Sequence, residues 1–142
     1  MSVAADDEVL LRLRVPARAE RLKEIRGAVG EAARRCGCGT EAVQEVVIAV
    51  DEACQNIIRH AYGKKTDGEI VVEIRRHGDT ITVDLRDFAE TVDPGKIKPR
   101  DLDDLRPGGL GTHFMAEVMD SVEYLAPPRG KGNLLRMVKR IS

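Results

Sequence analysis

A chain of 142 residues, 42% hydrophobic and 33% charged, is long enough to bury one core and is read as a single domain over residues 1–142. A formal net charge of −1 and an aromatic content of 3% without tryptophan leave neither a basic surface nor stacking platforms for nucleic acid. With no apolar run of about eighteen residues, no basic and apolar leader in the opening MSVAADDEVL, and only Cys36, Cys38 and Cys54 for thiol chemistry, the composition predicts a cytoplasmic protein without a membrane partner.

The first predicted element is a half-buried strand from Glu8 to Val15, in which Val9, Leu11, Leu13 and Val15 alternate with Leu10, Arg12 and Arg14, and which Pro16 ends. Between Ala17 and Cys36 the apolar residues Leu22, Ile25, Val29, Ala32, Ala33 and Cys36 recur at three and four positions, predicting a surface helix stopped by Gly37 and Gly39. Thr40 is the predicted N-cap of a second helix carrying Val43, Val46, Val47, Val50, Cys54, Ile57 and Ala61 on one stripe, ended by Gly63.

Two alternating segments, Glu69 to Arg76 and Thr80 to Arg86, read as a hairpin turned at Gly78 and Asp79. From Asp87 to Gly109 the pattern is lost in prolines, glycines and charges, which predicts a long loop of the kind that serves as a functional lid. Leu110, Phe114, Met115, Val118 and Met119 predict a third helix, followed by strands at Val122 to Leu125 and Leu134 to Ile141. The element order is not a regular strand and helix alternation. It predicts an α+β fold of two layers, a mixed and mostly antiparallel sheet covered on one face by three helices.

Three features can carry chemistry. Glu52, Asn56 and His60 lie four apart in the second helix, within one sector at about 100° per residue. That spacing fits an ordinary solvated face, and it also lets a carboxylate and an amide share one cation or water. Gly108-Gly109-Leu110-Gly111 directly precedes the third helix, with Thr112 and His113 at its start. Glycines admit a ligand close to the backbone, and amides at a helix N-terminus favour phosphate. The segment is neither a Walker A loop nor a dinucleotide fingerprint. Asp87 follows the hairpin and opens the long loop, where an aspartate is either a turn former or an acceptor for an exocyclic amine such as that of adenine. Reading His60, His113, Cys36 and Cys38 as zinc ligands fails for want of a second pair at zinc spacing.

The run Asp51-Glu52-Ala53-Cys54-Gln55-Asn56-Ile57-Ile58-Arg59-His60-Ala61-Tyr62 resembles the N-box of the GHKL (Bergerat-fold) ATPase superfamily, specifically of the bacterial anti-sigma-factor serine/threonine kinases. Gly108-Gly109-Leu110-Gly111 resembles the second glycine box, Asp87 stands at the aspartate of the first, and Asp93-Pro94 matches the pair that follows it. The resemblance runs from the first strand to the last.

It implies an ATP-dependent protein serine/threonine kinase that phosphorylates a STAS-type anti-anti-sigma partner and sequesters a sigma factor, with kinship to homodimers. By position, Glu52 is the implied general base, Asn56 the implied Mg²⁺ ligand on the phosphates, and Asp87 the implied acceptor of the adenine amino group. Gly109 and Gly111, with the amides of Leu110 and Thr112, are the implied phosphate cradle, and Arg106 the implied phosphate contact. Such sparse equipment suits phosphoryl transfer, in which positioning, metal and electrostatics do most of the catalysis. Ala89 stands where the first box habitually carries glycine, so its methyl implies weakened ATP affinity. The alternative it raises is a catalytically inactive partner-binding module on the same fold. A histidine kinase reduced to its ATP-binding half is the third reading, against which stands the lack of a phosphoacceptor helix.

Overall fold

The computed structural model describes residues 7–61, 68–88, 115–125 and 132–141. Five strands, β1 (Asp7–Pro16), β2 (Glu69–His77), β3 (Thr80–Asp87), β4 (Ser121–Leu125) and β5 (Asn133–Arg140), form one sheet in the order β1-β2-β3-β5-β4. All four pairings are antiparallel, so the sheet, expected to be mostly antiparallel, is antiparallel throughout the described strands. Two long helices, α1 (Leu22–Arg35) and α2 (Thr40–Asn56), supply the second layer, with residues 115–118 also helical.

Period-two burial builds the inner face. Ile70, Val72 and Ile74 of β2 and Ile81, Val83 and Leu85 of β3 are buried, while their neighbours point outward. Ile25 and Val29 of α1 and Val46, Val50 and Cys54 of α2 close the core from the other side. Each such side chain contributes about 1.5–3 kcal/mol by leaving water. On the outer face charges run across the strands: Arg12 meets Glu73 at 2.8 Å, and Asp84 receives Arg75 at 3.0 Å and a two-pronged grip from Arg136 at 2.7 and 2.9 Å.

The sequence pattern is corrected at four places. A bulge between Val9 and Leu11 shifts the register of β1, so Val9 sits opposite Arg75 and is 47% exposed, while Leu10 joins Leu11 and Leu13 against the core. The Arg35 guanidinium donates to the Leu10 carbonyl. Helix α1 begins five residues later than expected, after a 3₁₀ turn at Ala19–Arg21. It ends in a Schellman motif, in which Gly37 at φ +98° lets its N–H reach the Arg34 carbonyl and the Cys38 N–H reach that of Ala33. Gly39, not Thr40, is the N-cap of α2, and its carbonyl accepts from the Val43 N–H. The α-helical form ends at Asn56, and Ile57–Ala61 is a π-helix. The four-residue spacing from Asn56 to His60 therefore no longer measures one helix face. The expected stop at Gly63, the long loop and the first half of the third helix lie outside the described residues.

Candidate active site

Helix α2 lies over the sheet because its apolar residues recur on one side, and the second half of that side carries the candidate chemistry. Asn56 continues the buried stripe of Val46, Val50 and Ala53 and is 6% exposed. Asp87 continues the buried alternation of Ile81, Val83 and Leu85 and is 5% exposed. Among the described residues these two are the buried polar side chains. Both therefore face the layer between α2 and the sheet. An uncompensated polar group there costs about 1–3 kcal/mol, which makes their partners informative.

Asp87 is the last residue of β3, in register with Ile70 of β2 and Asn133 of β5. This corrects the expectation that the strand stops at Arg86 and that Asp87 opens a loop. The Asn133 side-chain amide donates to Asp87 Oδ1 at 2.9 Å. Gly132, at φ +80°, brings its backbone so near that an added Cβ would collide with the Asp87 carbonyl oxygen. Tyr124, opposite Leu135 on the same face, has its phenol pushed up to about 12 by burial and then by the Asp87 carboxylate. Phe88, next in the chain, turns to the surface, where the guanidiniums of Arg14 and Arg86 lie over its ring at 5.4 and 5.0 Å.

Asn56 has the opposite character. Its carbonyl oxygen, Oδ1, is buried and accepts no hydrogen bond among the described residues. Glu52, one turn earlier, is half-buried with Oε2 out of solvent. Its neighbour Asp51 is committed elsewhere: Arg26 of α1 meets Oδ1 at 2.9 Å, and Gln55 donates to Oδ2 at 2.7 Å. Of two adjacent carboxylates, Asp51 ties α2 to α1 and Glu52 stands beside the layer that holds Asn56.

Residues 15–139 match the model of the histidine kinase-like ATPase domain. The serine-protein kinase RsbW of Bacillus pumilus (strain SAFR-032) is 34% identical over 128 residues, covering 82% of this chain and 78% of that protein. The chain belongs to the anti-sigma-factor serine/threonine kinases of the GHKL ATPase superfamily. RsbW of Bacillus subtilis (strain 168) is 31% identical over 121 residues, covering 79% of this chain and 75% of its own. Among solved structures, the RsbU and RsbW domains of a Mycobacterium tuberculosis protein share the fold with a TM-score of 0.66 at 14% identity, over 92% of this chain and 31% of that one. The histidine kinase domain of Erythrobacter litoralis EL346 gives 0.57 at 15% identity, over 89% of this chain and 62% of that one.

As a member of this family the chain is an ATP-dependent serine/threonine protein kinase of the anti-sigma type. Among its described residues no helix is long and apolar enough to cross a membrane. Of the residues singled out from the sequence, Glu52 and Asn56 share one side of α2, and Asp87 stands on the sheet face that α2 covers. Ala89, Arg106, Gly109, Leu110, Gly111 and Thr112 lie outside the described residues. Sequence reasoning missed Gly132, Asn133 and Tyr124. Asn133 left a trace, since it continues the alternation of Leu135 and Met137 with a polar residue ill-suited to strands.

Proposed function

We propose that this kinase transfers the γ-phosphoryl group of ATP to a serine or threonine of a STAS-type anti-anti-sigma protein, and holds a sigma factor when that partner is not engaged. The reading includes a cytoplasmic single-domain protein over residues 1–142 acting as a homodimer. Its strongest support is the pair of buried polar side chains, Asn56 and Asp87, on the facing surfaces of α2 and the sheet.

In this reading Asp87 accepts the adenine amino group, and Asn133 holds its carboxylate in place. Asn56 Oδ1, buried and without a hydrogen bond among the described residues, is a hard carbonyl oxygen suited to Mg²⁺. The ion, when bound, neutralises phosphate charge. Glu52 takes the proton of the acceptor hydroxyl as its oxygen bonds to the γ-phosphorus and the bond to the β-phosphate oxygen breaks, leaving ADP. Gly109, Leu110, Gly111, Thr112 and Arg106 complete the phosphate contacts by family position, with Ala89 bordering adenine.

The test is phosphotransfer from labelled ATP to purified STAS-domain proteins. Glu52→Ala is expected to lower the rate about 10²–10⁴-fold with nucleotide affinity unchanged, the usual worth of a general base. Transfer at the original rate would remove Glu52 from the mechanism.

A further inference from the structure

Away from the candidate active site, at the joint between the two helices, two thiols are packed together. Cys36 caps the C-terminus of α1, and Gly37 and Cys38 carry the chain toward α2. Gly37 at φ +98° folds this turn tightly, with its N–H on the Arg34 carbonyl at 3.0 Å and the Cys38 N–H on that of Ala33 at 3.2 Å. Two Cα steps of about 3.8 Å bent this sharply keep the cysteine Cα atoms inside the roughly 7 Å that a disulfide can span. The side chains meet: the Cys36 S–H donates to Cys38 Sγ, and both cysteines are free. A single buried thiol is ordinary core material, but two in contact across one left-handed glycine are already arranged to be joined.

The two sulfurs are unequal. Cys36 is fully buried, and its thiol is pushed up to about 11, first by burial and then by Cys38, with Glu8 of β1 adding to the rise against Arg76 of β2. Cys38 is 9% exposed. Burial raises its thiol too, yet Lys139 of β5, the donated Cys36 S–H and Arg76 all favour its thiolate. Cys38 is therefore the sulfur that ionises first and that a small solute reaches.

We propose that Cys36 and Cys38 form an oxidation site for hydrogen peroxide, at which Cys38 reacts first and Cys36 resolves it to an intramolecular disulfide. The Cys38 thiolate attacks one peroxide oxygen and the O–O bond breaks. The departing hydroxide takes up the proton that Cys38 gave up, forming water, and Cys38 is left as a sulfenic acid. The Cys36 sulfur then bonds to Cys38 Sγ, and its proton leaves with the sulfenic hydroxyl as a second water. Two thiols lose two electrons and two protons, and one peroxide becomes two waters. From Thr40 to Glu52 helix α2 runs about 18 Å, so this site is separate from the catalytic end and does not depend on the nucleotide reading. Cys54, fully buried with its thiol pushed up to about 12 by burial and then by Asp51, has no such partner among the described residues and serves as the internal control.

The experiment exposes the full chain to excess hydrogen peroxide and then alkylates the thiols that remain. Trypsin with a glutamate-specific protease separates residues 36–41 from residues 53–59, so the pair and Cys54 are weighed apart. Wild type is expected to yield the 36–41 peptide two hydrogens lighter and unalkylated, with Cys54 alkylated in full, and dithiothreitol should restore both thiols. Cys36→Ala, without the resolving sulfur, should hold Cys38 as a sulfenic acid that dimedone traps. Cys38→Ala should leave Cys36 reduced over the same time. Melting temperatures of the reduced proteins serve as the folding control, and the wild-type peptide map decides alone where a variant does not fold.

Full alkylation of Cys36 and Cys38 after peroxide treatment would overturn the proposal. So would oxidation of Cys54 at the rate of the pair, or disulfides between chains in place of the intramolecular one. Dimedone labelling of Cys36 in Cys38→Ala as fast as that of Cys38 in Cys36→Ala would overturn the assigned order of attack.

Discussion

Asp84 and Asp87 stand three residues apart on β3 and face opposite sides of the sheet. On the outer side Asp84 is gripped by Arg136 and Arg75, and its carboxylate is spent on tying β2, β3 and β5 together. On the inner side Asp87 is buried at the end of an apolar row, where its Oδ1 accepts from the Asn133 side-chain amide. The same side chain serves as a rivet in one place and, in the proposed reading, as the adenine acceptor in the other.

The sharpest way to break this contrast is at the backbone beneath Asp87. Gly132→Ala combines a left-handed conformation with a collision against the Asp87 carbonyl, and should cost about 3 kcal/mol by denaturant unfolding. A cost near zero would mean that the end of β3 can shift freely. On the outer face, Asp84→Asn should cost about 1–2 kcal/mol, because its arginine partners are partly solvated, and should leave nucleotide affinity unchanged. A loss of ATP affinity there would erase the distinction between the two faces.

Two titrating groups withdrawn from water, Cys54 fully and Tyr124 in part, give a pH signature. Burial, followed by the charge of Asp87 in one case and Asp51 in the other, pushes both Tyr124 and Cys54 up to about 12. The unfolded chain loses these protons nearer pH 9–10. Above that range the native state binds more protons than the unfolded state, so stability falls as pH rises, by about 1.4 kcal/mol per unit for each group until its folded value is reached. Tyr124→Phe should remove its share of that slope between about pH 10 and 12 in unfolding curves. The smallest expected effect is at Ala89, which borders adenine in the proposed reading. Ala89→Gly should tighten Mg·ATP binding by about fivefold, the equivalent of about 1 kcal/mol.

The periodic parts of the fold were legible in sequence because local pattern and final burial agree. Ile70, Val72 and Ile74, and Ile81, Val83 and Leu85, alternate as written and are buried as written. The exceptions were set by distant partners. Val9 fits the alternation, yet the bulge that turns it outward is fixed by pairing with β2. Asp87 reads as a turn former, and pairing with Ile70 of β2 and Asn133 of β5, both distant in the chain, makes it part of a strand. In the site, Glu52 and Asn56 stood out through motif and spacing. His60 shared the spacing, but the switch to a π-helix at Ile57 follows from no local residue preference. Gly132 and Asn133 were missed because their significance lies in what they touch.

The central claim is that the inner-face carboxylate marks a nucleotide site, and isothermal titration of Mg·ATP into wild type, Asp87→Asn and Asp84→Asn tests it most directly. Saturable binding by wild type and Asp84→Asn, lost in Asp87→Asn, is the predicted result. Equal affinity in all three proteins, or no binding by wild type up to millimolar ATP, would contradict it.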